Sequence, residues 1–136
     1  MKKFIVLFLF LVTYTIKVRA QQTFEIDRKL EECMNDSTNF TTYGMYACVD
    51  KAIDAWDVRL NNSYKKLITK LPNQDVARLR ATQRKWIELL ELDKTLLREF
   101  TNHQQGTMYG ISHGLVVVEL VKSRALILEL LEKELD

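Results

Sequence analysis

The sequence is short of the residues that punctuate a chain or staple it: its 136 residues include one proline, four glycines, two cysteines and two histidines. No stretch rich in proline, glycine and serine marks a linker, and no internal repeat or low-complexity tract divides the chain. Cys33 and Cys48 lack CxxC spacing, and His103 and His113 lie far along the chain from them, so neither a zinc site nor a redox pair finds its residues. No serine or cysteine nucleophile stands with a histidine, and no pair of carboxylates is set apart from the surrounding charges. The sequence therefore argues against an enzyme, and it implies no metal and no cofactor. Beyond the first twenty residues no apolar run is long enough to span a membrane.

What is present begins with an N-terminus of recognisable design. Lys2 and Lys3 open it, an unbroken apolar run follows from Phe4 to Val12, and Val18-Arg19-Ala20 precedes Gln21. This reads as a secretory signal peptide over residues 1–20, cleaved after Ala20. An uncleaved anchor is the competing reading, but the run is short for a span, and Lys17 and Arg19 follow it closely. No cysteine stands at position 21, so lipid anchoring is not indicated. Removing four basic and no acidic residues leaves 16 basic against 18 acidic ones, a net charge of −2. The basicity of the whole chain thus belongs to its targeting segment, and nucleic acid is not an expected partner. Residues 21–136 form one domain, expected to be periplasmic or secreted. In such an oxidising compartment the simplest use of Cys33 and Cys48 is one disulfide between them.

The periodicity is helical throughout. Phe24, Ile26, Leu30, Cys33 and Met34 outline a short helix, and Asn35 to Thr42 form a loop rich in residues that bond their own backbone. From Cys48, apolar residues recur at Val49, Ile53, Trp56, Leu60, Leu67 and Leu71; from Val76 they recur at Leu79, Trp86, Leu90, Leu97 and Phe100. Pro72 separates the two stretches, with Asn73 as a candidate cap, so they form a long antiparallel hairpin whose stripes are expected to bury against each other. The polar segment after Phe100 leads to a last helix with Thr107 as its cap. There Gly106, Gly110 and Gly114 fall four apart, a strip that another backbone could approach, or else an irregular helix start. The expected fold is all-α: a small bundle of one short and three long helices, built on the hairpin, with one disulfide.

Polar residues interrupt the stripes. Gln83 and Asp93 occupy core positions of the third helix, while Asp57, Asn61 and Tyr64 line one side of the second. Buried polar groups need partners, so a hydrogen-bonded network between the two hairpin helices is expected, with a polar groove that binds a ligand as the alternative. Trp56 and Trp86 read as packing residues, and His103 and His113 as exposed loop residues. Asn35, Asn39 and Asn61 begin N-x-Ser/Thr triplets, which are frequent by chance.

Taken together, Cys48, Asp57, Leu60-Asn61, Tyr64, and then Leu79-Arg80, Gln83 and Trp86 form the blocks D-x-x-L-N-x-x-Y and L-R-x-x-Q-x-x-W. In order, in a chain with an export signal and paired upstream cysteines, they resemble the LprI-like lysozyme-inhibitor family of exported bacterial proteins over roughly residues 33–128. Members commonly carry further cysteines after the tryptophan and in the last helix. This chain has Leu90-Glu91 and Lys94 at the first of these places and Val116 to Val118 at the second, so both halves of a second staple are missing together. The resemblance implies a non-enzymatic domain that binds a protein partner, a lysozyme-type muramidase, through a protruding loop. Asn35 to Thr42 and His103 to Tyr109 are the candidate loops. The alternative is a structural or stress-related envelope protein without inhibitory activity; oligomeric state stays open.

Overall fold

The computed structural model describes residues 24–135. The expected signal peptide lies outside them. Helix α1 spans Glu25–Asn35, a short 3-10 turn spans Ser37–Asn39, and three long helices follow: α2 (Thr42–Lys70), α3 (Asn73–Asn102) and α4 (Met108–Lys133). No strand occurs among the described residues. Helix α2 starts two turns before its apolar stripe because the Thr41 hydroxyl accepts from the Gly44 N–H at 3.0 Å and caps it there. Helix α3 starts at Asn73 without a side-chain cap: the Pro72 carbonyl takes the N–H groups of Asp75 and Val76 at 2.9 and 3.0 Å. Thr107 stands at the cap position of α4, but its hydroxyl is turned instead to that of Thr42, 3.2 Å away.

Helices α2 and α3 are joined through Leu71 and Pro72 as an antiparallel hairpin. The stripes of both, however, bury mainly against α4 rather than against each other. The reason lies in α4. Ile111, Val117, Val118, Val121, Ala125 and Leu128 are buried on it, and Val116, Leu120 and Ile127 extend its apolar surface round the other side. A helix apolar on most of its circumference is most stable between two others. Thr42 meets Thr107 near one end, and Lys66 meets Glu132 at 2.8 Å near the other, so α2 and α4 run parallel. Thr101 bonds His113 and Gln83 bonds Arg124, so α3 runs against α4. The glycine strip allows the parallel pair to close: a Cβ added to Gly114 would come within 2.9 Å of Val49 Cγ1. Gly106 falls outside the helix.

Trp56 is fully buried and organises the core. Its ring takes Phe24 edge-on, with centroids 5.2 Å apart, and its Nε1 donates to Asp27 Oδ1 at 3.3 Å. The Arg59 guanidinium lies 5.0 Å above the same ring and donates to Glu129. Lys122 completes the group by donating to Asp27 Oδ2 at 2.6 Å. Burial alone would lower the Lys122 pKa, but Asp27, with help from Glu119, overrides it and the pKa is raised. The Cys33–Cys48 disulfide, with Cα atoms 5.7 Å apart, clamps α1 onto α2.

Glu132 ties α4 to the end of α2. Its carboxylate accepts from Lys66 Nζ and from the Ser63 hydroxyl, and Lys66 holds its pKa below the ordinary glutamate value of 4.5. A depressed carboxyl stabilises fully above that ordinary value and loses its effect as the pH falls through the folded-state pKa. Chemical denaturation followed from about pH 7 to about pH 3 should therefore show stability falling below pH 4.5, and Glu132→Gln should be weaker at neutral pH with a shallower acid limb. An unchanged acid limb in the variant would remove Glu132 from the account.

Candidate functional site

The two sequence blocks divide into residues that face inward and residues that face water. On α2, Leu60 is buried and Tyr64 is half-buried against the core. Asp57 and Asn61 lie on the outer side, where Asn61 Nδ2 donates to the Asp57 carboxylate at 2.8 Å and to its carbonyl at 2.9 Å. On α3, Arg80 is exposed, Trp86 is half-buried, and Gln83 is only 7% exposed. Gln83 Oε1 accepts from Arg124 Nε at 2.9 Å, and the Arg124 guanidinium stands 5.9 Å from the centre of the Trp86 ring. Burial pushes the Arg124 pKa down, and the cation is held by an amide oxygen and a ring face.

The polar positions therefore do not form the expected network between the hairpin helices. Asn61 bonds within α2, and Gln83 bonds across to α4. Helices α2 and α3 approach each other at few points, so these polar groups find their partners elsewhere. His113 also departs from expectation, because it lies within α4, half-buried, with its Nδ1 2.5 Å from the Thr101 hydroxyl. His103, exposed just beyond the last turn of α3, agrees with it. No cluster of His, Cys, Asp or Glu able to hold a metal occurs among the described residues. The Thr101 hydroxyl also donates to the Leu97 carbonyl at 2.9 Å, so its contact with His113 joins α3 to α4.

The two loops, far apart in sequence, meet in space. Because α2 and α4 are parallel, the segment before α2 and the segment before α4 emerge at the same end of the bundle, joined by the contact between Thr42 and Thr107. The first segment is held in a defined shape. Asp36 accepts from the Thr38 N–H at 2.9 Å and its hydroxyl at 2.8 Å, contacts that keep the Asp36 carboxyl below its usual pKa. Asn39 Nδ2 donates to the Cys33 carbonyl at 3.0 Å. Gly44 lets this turn lie directly on α2, since a Cβ there would come within 2.7 Å of the Asn39 carbonyl oxygen.

This end carries all five exposed aromatic residues among those described: Phe40, Tyr43, Tyr46, Phe100 and Tyr109. Tyr43 is 86% exposed. The segments 34–47 and 101–112 hold one carboxylate, Asp36, one imidazole, His103, and no lysine or arginine. Lys94 and Arg98 stand beside Tyr46 at the margin of this end, and Lys65, Lys66, Lys70, Arg78, Arg80 and Arg84 flank the Pro72 turn at the other. Tyrosine, phenylalanine, threonine and asparagine side chains on a supported surface are what protein recognition uses: large contact area at low entropic cost, with hydrogen-bonding groups between. The periodicity of the sequence did not flag these aromatics. They are scattered over seventy residues, and only the parallel packing of α2 and α4 collects them.

A family model described as lysozyme inhibitor LprI matches residues 33–128, which include both blocks, both cysteines and the two loops. The crystal structure of an uncharacterised protein from Burkholderia thailandensis is similar to this one, with a TM-score of 0.74 and 24% sequence identity over 83% of the chain. The match covers 55% of that protein, so the chain spans about half its length, and the likeness is one of fold. No curated protein matches the chain in sequence.

Proposed function

The chain belongs to the LprI lysozyme-inhibitor family, and from that premise we propose that it is exported and inhibits a lysozyme-type muramidase by direct contact through the aromatic loop end. On this reading residues 1–20 direct export and residues 21–136 act as the working domain. The observation that carries it is the convergence of both candidate loops on one surface rich in exposed aromatic and amide side chains, the loop segments themselves holding no lysine or arginine. Lysozymes are often cationic, and loop segments that carry Asp36 and no lysine or arginine present themselves favourably to such a partner. No helix among the described residues is long and apolar enough to cross a membrane.

The test is cell-wall lysis by c-type, g-type and i-type lysozymes in the presence of the purified protein. Dose-dependent loss of lysis is expected with at least one of them. A double substitution, Phe40→Ala with Tyr43→Ala, should raise the concentration needed by roughly 30-fold or more, the effect of removing an interface anchor worth about 2 kcal/mol. Asp57→Ala and Arg84→Ala, far from that end, should change nothing. Undiminished lysis with all three enzymes would defeat the reading, and equal inhibition by the double variant would move the contact elsewhere.

A further inference from the structure

Because α2 and α3 both pack on α4 and touch each other little, a furrow stays open between them on one side of the bundle, floored by α4. Its volume is about 230 Å³, and Tyr46, Lys94, Arg98, His113, Gly110 and Gly114 line it. The floor is low because two of its residues have no side chain. A Cβ on Gly110 would come within 1.7 Å of the Tyr46 hydroxyl and 3.6 Å of Thr101 Cγ2, so the glycine lets the phenol of α2 reach in toward α3. Leu97 and Val117 make the rest of the lining apolar. His113 is a fixed wall. Thr101 gives its one hydroxyl proton to the Leu97 carbonyl, so the His113 Nδ1–H donates to the Thr101 oxygen and holds the ring.

No carboxylate lines the furrow. Two of its polar groups are donors without a partner among the described residues: the Tyr46 hydroxyl and the Arg98 guanidinium. Lys94 differs, since its Nζ is held by Glu91 one turn back at 2.8 Å. The furrow therefore offers one uncompensated positive charge, a guanidinium fork, beside a phenolic O–H and an apolar floor. A carboxylate is its complement: it only accepts hydrogen bonds, carries a single negative charge, and takes an arginine fork with both oxygens. A phosphate dianion would leave half its charge unmatched. Size sets the rest of the ligand. A cavity of about 150 Å³ takes a benzene ring, so 230 Å³ holds a ring or a branched chain together with a carboxylate. We propose that the furrow between α2 and α3 binds a small carboxylic acid, its carboxylate on Arg98 and Tyr46 and its apolar body over Leu97, Val117 and the glycines.

Benzoate is the probe, added to the isotope-labelled protein and followed by nuclear magnetic resonance. It should move the backbone amide signals of Gly110 and Gly114 and the Arg98 Nε–H signal saturably, with a Kd of about 1 mM or tighter, as befits a ligand this small. Benzyl alcohol, which has the ring without the charge, and inorganic phosphate, which has charge without the ring, should each bind about tenfold more weakly or not at all. Arg98→Ala, an exposed position whose loss leaves the circular dichroism unchanged, should weaken benzoate about tenfold or more, and Tyr46→Phe about threefold or more. Arg84→Ala, about 21 Å away along the same helix, should leave binding as it is. Absence of a saturable shift at ten times the expected Kd overturns the proposal. So does benzyl alcohol binding as well as benzoate, which would make the furrow an apolar cleft, or phosphate binding as well, which would make it a general anion patch. Undiminished binding by Arg98→Ala overturns it too. The site and the muramidase reading fail separately, since benzoate can bind whether or not any lysozyme is inhibited.

Discussion

Trp56→Ala is expected to lower the free energy of unfolding by about 3–5 kcal/mol, the cost of removing a fully buried large aromatic side chain whose site cannot collapse. The side chain is 0% exposed and holds α1, α2 and α4 together through three kinds of contact. Phe24 loses the face it packs against, Asp27 loses a donor at 3.3 Å, and Arg59 and Lys122 lose the ring below them. The cavity left would be bordered by charged groups that had been ordered by the indole. Trp56→Phe separates the effects, because it keeps an aromatic ring and removes only the N–H donor and some volume; about 1–2 kcal/mol is expected from that change. Urea unfolding followed by circular dichroism reads both. A cost below 1 kcal/mol for alanine would mean that the core does not centre on this residue.

Breaking the disulfide should be the next largest perturbation. Cys33 and Cys48 are 15 residues apart, and closing a loop of that size contributes roughly 3 kcal/mol on the chain-entropy model. Replacing both by serine should lower the melting temperature by about 10 °C in a domain of this size. The damage should be local before it is global. Helix α1 has no fully buried residue and depends on the disulfide, the Phe24–Trp56 contact and the two bonds to Asp27. Hydrogen exchange should therefore accelerate first in α1, with α2 and α4 slower to respond. Thiol titration of the native protein should find none reactive; two reactive thiols per chain would mean that the staple is not formed.

The helices, their number and the clamp between the first two were legible because a period of 3.6 is a property of the sequence alone. So was the Pro72 turn, since proline removes a donor wherever it stands. What the period leaves open is the partner of an apolar stripe. The stripes at Val49–Leu71 and Val76–Leu97 were matched to each other, whereas both are answered by α4, whose run of valines suits it to an interior place. Contacts such as Gln83 with Arg124 or Lys122 with Asp27 depend on that arrangement and could not be read from spacing. Phe100 shows the limit in one residue: it continues the buried heptad in sequence and is 58% exposed in the structure, because the inner face of α3 passes to Thr101 at that turn. Of the site, both loops were legible as irregular polar segments. Their union was not, since it follows from the direction of α4 relative to α2.

The odd number of long helices has a practical corollary. With three passes, the chain leaves two connections at one extremity and a lone two-residue turn at the other. The 30 residues of α3 separate them by about 45 Å. The molecule is thus a rod with a natural handle: a dye, a bead or a fusion joined near Pro72 would stand a full rod's length from Tyr43 and leave the aromatic tip unobstructed.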